Sequence, residues 1–309
     1  MRIIITGGSG LIGRALTSSL AADGHEVIIL SRDPAKVRGL PQNAHAEKWD
    51  GRTAQGWGHL AEGAGAIVNL AGVSIAGENL TAILFKRWSS GYKRQIRESR
   101  ANVGAAVVEA VRAAKQKPGV VMQASAVGYY GPHGDEALTE ASPPGDDFQA
   151  RVCQEWEAST AAVEEMGVRR VIIRTGLPLS RKGGVFPLII LPFKLFVGGP
   201  LGSGKQWFPW LHIEDQVAAM RFLIDSGASG PFNLCAPNPV TNAALSRMLG
   251  RVMRRPVLIP VPAFVLRLAL GEKADIVLGG WRQIPKRLRE MGFLFKFPEL
   301  EPALRDLLQ

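Results

Sequence analysis

The chain is poor in cysteine and tyrosine and has no long unbroken apolar run. Cys153 and Cys235 are its only cysteines among 309 residues. No disulfide framework is available to hold a small secreted fold, and a reducing cytoplasm is the simplest compartment. Three tyrosines occur in all, two of them adjacent at Tyr129 and Tyr130. The longest apolar stretch, 185–202, is interrupted by Pro187, Pro192 and Lys194. That excludes a membrane span, which needs about 20 apolar residues. The opening residues already read as a strand, so no signal or transit peptide is expected. There is no Lys/Arg run interleaved with aromatics, no helix-turn-helix pattern and no zinc-ligand spacing. The net charge of +10 is therefore read as a solvated face or an attraction for an anionic cofactor, with Arg251, Arg254 and Arg255 its densest cluster. Neither a nucleic acid nor a membrane is expected as partner, and no metal site is expected.

What the chain does have is ordinary globular composition, 46% hydrophobic and 21% charged, enough for one large domain or two modest ones. Its most informative segment is the first strand-turn-helix. An apolar run at 2–5 leads into Thr6, then Gly7, Gly8, Ser9, Gly10, Leu11, Ile12 and Gly13, then an amphipathic pattern to residue 22. Gly7, Gly10 and Gly13 follow GxxGxxG spacing, and Gly8, Gly10 and Gly13 follow GxGxxG. Glycines let the backbone turn tightly and approach a pyrophosphate, and the last lets helix and strand pack closely. The free N–H groups at the helix start favour the anion. A bound dinucleotide is expected.

Further apolar runs at 26–30, 66–70, 119–123, 170–174 and 230–234 read as strands. Residues 100–115, 149–166 and 214–226 read as helices. Strands alternating with helices predict an α/β fold: a Rossmann, doubly wound parallel sheet with ligands at the carboxyl ends of its strands. From 176 to 209 Gly and Pro become dense, and beyond 241 the chain is helical and basic. These regions predict a smaller, mainly helical C-terminal lobe from 177–206 and 236–309, for substrate or partner, beside a dinucleotide domain from 1–176 and 207–235.

Ser31 and Arg32 close the second strand, where an acidic residue would bind the ribose 2′-hydroxyl of NAD. An arginine there instead matches a 2′-phosphate, so the expected cofactor is NADP(H). Asp33 precedes Pro34 and starts a turn. Leu70, Ala71 and Gly72 follow Asn69 at the next strand end, where small residues let the backbone approach the cofactor. Asp50 is a candidate acceptor for the adenine amino group, or an exposed loop acid.

The segments 6–13, 69–72, 123–131, 174–176 and 209–215 resemble, in order, those of extended short-chain dehydrogenase/reductases. The nearer resemblance is to the atypical "epimerase family" proteins of that superfamily. These share Ser-Arg after the second strand, the Phe208–Ile213 motif Phe-Pro-Trp-Leu-His-Ile, and a C-terminal domain of unknown function with Phe-Pro-Glu-Leu, here 297–300. The resemblance spans essentially the whole chain. It implies an oxidoreductase or epimerase acting on an unknown small molecule, and a homodimer built on helices such as 149–166. One departure from ordinary members is decisive. Their chemistry needs a Tyr with a Lys four residues on, the ammonium lowering the Tyr pKa. Counting back from Glu157, Gln149 stands at the Tyr position and Cys153 at the Lys position. The resemblance also implies that Arg100 replaces a usual Asn and contacts the cofactor. Ser125 holds the position of the usual catalytic Ser. Tyr129, Tyr130 and His212 are the remaining candidates for acid/base work, each with a packing role as the alternative. Cys153 reads as a buried small hydrophobe or a reactive thiol. The alternative to an enzyme is a non-catalytic NADP(H)-binding sensor or scaffold.

Overall fold

The computed structural model describes residues 1–75, 77, 87–258 and 260–309. Seven parallel strands form the central sheet: β1 (Arg2–Thr6), β2 (Glu26–Ser31), β3 (Ala44–Lys48), β4 (Ala66–Asn69), β5 (Val120–Ala126), β6 (Arg169–Thr175) and β7 (Gly230–Leu234). Their order across the sheet is β7-β6-β5-β4-β1-β2-β3. The order reverses between β1 and β4, and this switch point is where a doubly wound sheet opens a crevice at its carboxyl edge. The inner strands are buried on both faces, as their continuous apolar runs require. β3 was not anticipated. Its sequence Ala-His-Ala-Glu-Lys is largely exposed, the composition of a sheet edge that must not invite further pairing.

Helices of eight or more residues are α1 (Leu11–Ala22), α2 (Ser90–Ala113), α3 (Phe148–Ala158), α4 (Phe186–Lys194), α5 (Ile213–Asp225), α6 (Asn242–Met253), α7 (Ala263–Leu270) and α8 (Leu300–Leu308). α2 starts ten residues before the expected boundary, because its first turns are polar apart from Tyr92 and Ile96. Ser89 caps it by accepting from the Tyr92 N–H. The helix expected over 149–166 is two pieces, α3 and a single turn at Ala162–Glu165. Asp147 caps α3 by accepting from the Ala150 N–H at 2.7 Å, which sets the start of the helix beside the β5 strand end.

The hydrophobic core crosses the expected domain boundary. Ile3, Val68 and Ile173 of the sheet belong to the same buried cluster as Phe186 and Ile190 of α4, Leu245 of α6, and Leu300, Leu304 and Leu307 of α8. A second cluster on the opposite face joins Ile4, Ile28 and Ile67 to Val103, Val107 and Val111 of α2. The last segment is also tied down by polar bonds. The Asp215 carboxylate accepts from the Lys296 and Phe297 N–H groups at 2.7 and 2.9 Å. Among the described residues no helix is long and apolar enough to cross a membrane.

Candidate functional site

The glycine turn after β1 is as tight as its spacing predicts. Gly7 adopts φ +70°, and a Cβ there would lie 3.0 Å from the Ala71 nitrogen. A Cβ on Gly13 would fall 2.5 Å from the Gly7 oxygen and 2.6 Å from the Gly8 Cα, both backbone atoms that cannot swing aside. On Gly8 it would press into Ile29 of β2 at 2.7 Å. The Gly10 N–H donates to the Gly7 carbonyl. No side chain caps α1, so the first N–H groups of Leu11, Ile12 and Gly13 are left for an anion. The loop at 180–184 comes down over the same corner, where a Cβ on Gly184 would meet Leu11 at 2.8 Å.

A buried relay sets the neighbouring strand end against this turn. The Thr6 hydroxyl donates to Asn69 Oδ1 at 2.7 Å, and Asn69 Nδ2 donates to Gln123 Oε1 at 2.8 Å. Thr6 Oγ1 in turn accepts from the Leu70 and Ala71 N–H groups. β1, β4 and β5 are thus locked in register at their carboxyl ends. Gly72 then lies against Arg100, where a Cβ would meet the guanidinium carbon at 3.0 Å. Arg100 is buried, stacks on Trp156 at 4.6 Å and donates through Nη1 to the Val73 and Ile96 carbonyls. Its Nε has no partner among the described residues. Burial lowers its pKa to about 10. A buried guanidinium with an orphaned donor beside a glycine is a place prepared for an acceptor.

At the other end of the crevice, Arg32 is exposed after β2, its stem 3.5 Å from where a Gly51 Cβ would sit. The Ser31 hydroxyl accepts from the Asp33 N–H. Asp50 spends both carboxylate oxygens on its own turn, accepting from the Arg52 and Thr53 N–H groups and the Thr53 hydroxyl. Burial opposes, but these bonds together hold its carboxyl below the usual value. Asp50 therefore forms its own turn in this structure.

Ser125 lies buried at the end of β5. Its hydroxyl donates to Glu157 Oε1 at 2.6 Å. Glu157 is itself clasped by Arg174, whose Nε and Nη2 donate to the two carboxylate oxygens at 2.9 and 3.0 Å. The Arg174 guanidinium lies 3.4 Å from the centre of the Tyr129 ring. Tyr129, Arg174, Glu157 and Ser125 are one connected group, brought together by β5, β6 and α3. Gln149 and Cys153 sit beside it: a Cβ on Gly128 would meet Gln149 Cβ at 3.3 Å and Cys153 Sγ at 3.8 Å. Cys153 is buried, and burial pushes its thiol up to about 12 against the opposing Arg100 charge. It is a small apolar filler, not a nucleophile.

Two candidates need correction. Tyr130 is fully buried, donates to Asn233 Oδ1 at 2.6 Å and accepts from Arg174. Burial raises its pKa well above the ordinary value, despite Arg174. Its proton is committed to the core, so it is no general acid. His212 does not face a cleft. Its Nδ1 accepts from the Glu214 N–H as the cap of α5, its ring stacks on Phe297 at 4.0 Å, and Nε2 lies 3.3 Å from Asp306. A neutral ring that accepts at Nδ1 carries its proton on Nε2. No lone pair then remains for a metal, although Glu214 and Asp306 offer carboxylate oxygens nearby. Trp210, placed with it by sequence, is also fully buried.

The match to known proteins agrees with this geometry. Residues 3–235 match the NAD dependent epimerase/dehydratase family. The chain belongs to that family. Residues 261–307 match a second family, Domain of unknown function (DUF1731). The epimerase family protein SDR39U1 homolog, chloroplastic, of Arabidopsis thaliana is 38% identical over 318 residues, covering 100% of this chain and 87% of the relative. Epimerase family protein YfhF of Bacillus subtilis is also 38% identical, covering 100% of this chain and 98% of the relative. The crystal structure of human epimerase family protein SDR39U1 with NADPH superposes with a TM-score of 0.84 at 32% identity, covering 99% of each chain. The fold is that of these extended relatives. Within it, two features were not read from sequence: the Glu157–Arg174 pair, and the orphaned Arg100 Nε over Trp156. An arginine inside the apolar run of β6 was the available signal for the first, since a buried cation requires a partner.

Proposed function

We propose that this chain binds NADP(H) in the crevice between the Gly7–Gly13 turn and the Leu70–Gly72 strand end, and works there as an oxidoreductase on an unidentified small molecule. The observation that carries the cofactor reading is the fit of the turn. Backbone contacts forbid a Cβ at Gly7 and Gly13, α1 is uncapped, and Arg32 stands free at the end of β2. Arg32 is the residue for the 2′-phosphate, and Arg100 Nε is a donor with no partner among the described residues. When bound, NADP(H) supplies the hydride donor or acceptor.

The chain's own contribution is positioning. Glu157 is held between Arg174 and Ser125. Together they engage both of its carboxylate oxygens. The Ser125 hydroxyl thus spends its one donor on Glu157 and presents lone pairs only. It accepts a hydrogen bond from a substrate hydroxyl or hydrate. Gln149 offers an amide that donates and accepts without titrating. Tyr129 is stacked on its ring face by Arg174, a contact that leaves its hydroxyl available, so Tyr129 is the candidate acid of this group.

The commitment of Ser125 to Glu157 also supports a second reading, a sensor that binds NADP(H) without turnover. Calorimetry with NADPH and NADH, followed by stopped-flow absorbance against a panel of carbonyls, sugars and enones, separates the two. Tight NADPH binding with turnover of any member supports the enzyme. Tight binding with none supports the sensor. Arg32→Ala is expected to weaken NADPH by roughly 10- to 100-fold and NADH hardly at all, the worth of a charge-assisted contact. Equal loss for both cofactors would remove Arg32 from the 2′-phosphate.

A further inference from the structure

We infer that the face formed by 191–197, 257–258 and 260–268 docks the protein on an anionic lipid surface. Among the described residues, most exposed large hydrophobic side chains lie in these segments, Leu195, Phe264 and Leu268 among them at 63, 72 and 77% exposure. α7, with the sequence Ala-Phe-Val-Leu-Arg-Leu-Ala-Leu, has no buried residue. A helix that apolar on its open side is covered by something in use.

The two segments are held together. The Leu258 N–H donates to Gly198, the Val261 N–H to Pro200, and the Gly202 N–H back to Val261. This short ladder leads into 195–197 at one end and α7 at the other. The tip at 195–197 is bonded back to α4, with the Leu195, Phe196 and Val197 N–H groups donating to the Leu191, Phe193 and Pro192 carbonyls. Phe193 is buried against Gly198, where a Cβ would strike the ring at 2.4 Å. Between these two anchors the chain throws Leu195, Phe196 and Val197 outward. Phe196 adopts φ +63°, a conformation that glycine fills more easily. An exposed aromatic held in that conformation is placed for an outside partner.

The charge of the surroundings selects the partner. Between residues 176 and 271 the carboxylates are Glu214, Asp215 and Asp225 alone, all on α5. The segments that carry the apolar face hold Lys194 and Arg267 and no acid, and Arg254 and Arg255 lie just before the second of them. Arg255 lies 4.2 Å from the Phe196 ring centre. Lys194, Arg254 and Arg267 have no ion pair with a described residue. Two copies meeting on this face would oppose like charges, which argues against self-association. A bilayer with anionic headgroups complements both features: apolar tips enter the headgroup boundary and cations meet phosphate. Sequence reasoning expected no membrane partner because it tested for a span, and a surface that lies on a bilayer needs none.

The test is flotation of the full-length protein with vesicles of phosphatidylcholine alone and of phosphatidylcholine with 30% phosphatidylglycerol, at low and high salt. Binding to the anionic vesicles only, weakened by salt, is expected. Phe264→Ser/Leu268→Ser and Arg254→Glu/Arg255→Glu should each lower the bound fraction by about tenfold or more, with NADPH affinity and melting temperature unchanged. No flotation of the wild type, or flotation that both variants retain, overturns the proposal. So does a wild-type dimer in sedimentation that the serine variant abolishes, or binding to a DNA duplex that only the arginine variant loses.

Discussion

At the scale of single residues, the glycines of the first turn carry the most exact requirement. A methyl at Gly13 meets two backbone atoms of the same turn at 2.5 and 2.6 Å. Neither can give way without opening the β1–α1 junction. Gly13→Ala is expected to abolish NADPH binding and to destabilise the fold by about 1–3 kcal/mol, the usual cost of overpacking. Calorimetry and a urea midpoint measure the two effects, and retained micromolar binding would contradict the first. The thiols make a second case. Cys153 and Cys235 are both buried, and burial raises both pKa values, that of Cys153 to about 12. Neither should react with a disulfide reagent at pH 8 in the native state, and both should after denaturation. Rapid native labelling at Cys153 would reopen a thiol role. Residue types were legible in sequence where the backbone itself is the message, as at Gly7 and Gly13. They were less legible where a side chain's direction decides. Tyr130 and Tyr129 are neighbours in sequence, yet one faces Asn233 in the core and the other lies over Arg174. His212 read as a candidate base because its type is chemically able. Its stacking on Phe297 and its approach to Asp306 of α8 depend on a segment that lies far along the chain.

At the scale of elements, the site is a product of where β5, β6 and α3 meet. Arg174 is contributed by β6, Ser125 by β5 and Glu157 by α3, and no two are close in sequence. Inner strands were readable because burial on both faces demands continuous apolar runs. The edge strand β3 and the first turns of α2 were not, since β3 is largely exposed and α2 opens with only Tyr92 and Ile96 among polar residues. The break between α3 and Ala162–Glu165 was missed for a related reason: the apolar pattern continues while the backbone turns. The clasped carboxylate permits a comparison of variants. Glu157→Gln keeps the shape but leaves the Arg174 charge without its partner at a site where both side chains are nearly excluded from solvent, 5% and 11% exposed. The expected loss is about 3 kcal/mol or more. Ser125→Ala removes one hydrogen bond and leaves the ion pair intact, for a loss of about 1 kcal/mol. Urea midpoints should rank wild type, Ser125→Ala and Glu157→Gln in that order. A Glu157→Gln protein as stable as Ser125→Ala would show that Arg174 finds water, and that the pair does not hold the Ser125 proton in place.

At the scale of the whole molecule, two family matches, 3–235 and 261–307, meet one continuous core. Leu300, Leu304 and Leu307 of α8 pack into the cluster that contains β1 and β6. The Asp215 carboxylate needs the Lys296 and Phe297 N–H groups, and the His212 ring needs Phe297 and Asp306. The C-terminal segment therefore has no independent core, and the sheet has an incomplete one without it. Urea unfolding followed by tryptophan fluorescence should show one transition at pH 8. His212 makes that transition sensitive to acid. Burial, opposed by Asp306, lowers its pKa below the ordinary 6.5. The folded state thus resists protonation more than the unfolded chain does. The resulting stability is fully present above pH 6.5 and is lost as pH falls through the lower folded value. The urea midpoint should decline across that interval, with fluorescence of the last segment and of the sheet declining together. His212→Asn keeps an α5 cap, because asparagine accepts from the helix N–H groups as well as any residue, and it cannot titrate. Its midpoint should start lower at pH 8, through the lost stacking on Phe297, and fall less steeply on acidification. Parallel curves for the two proteins would assign the acid sensitivity to other groups. Two separate transitions at pH 8 would show that the C-terminal segment folds as its own unit.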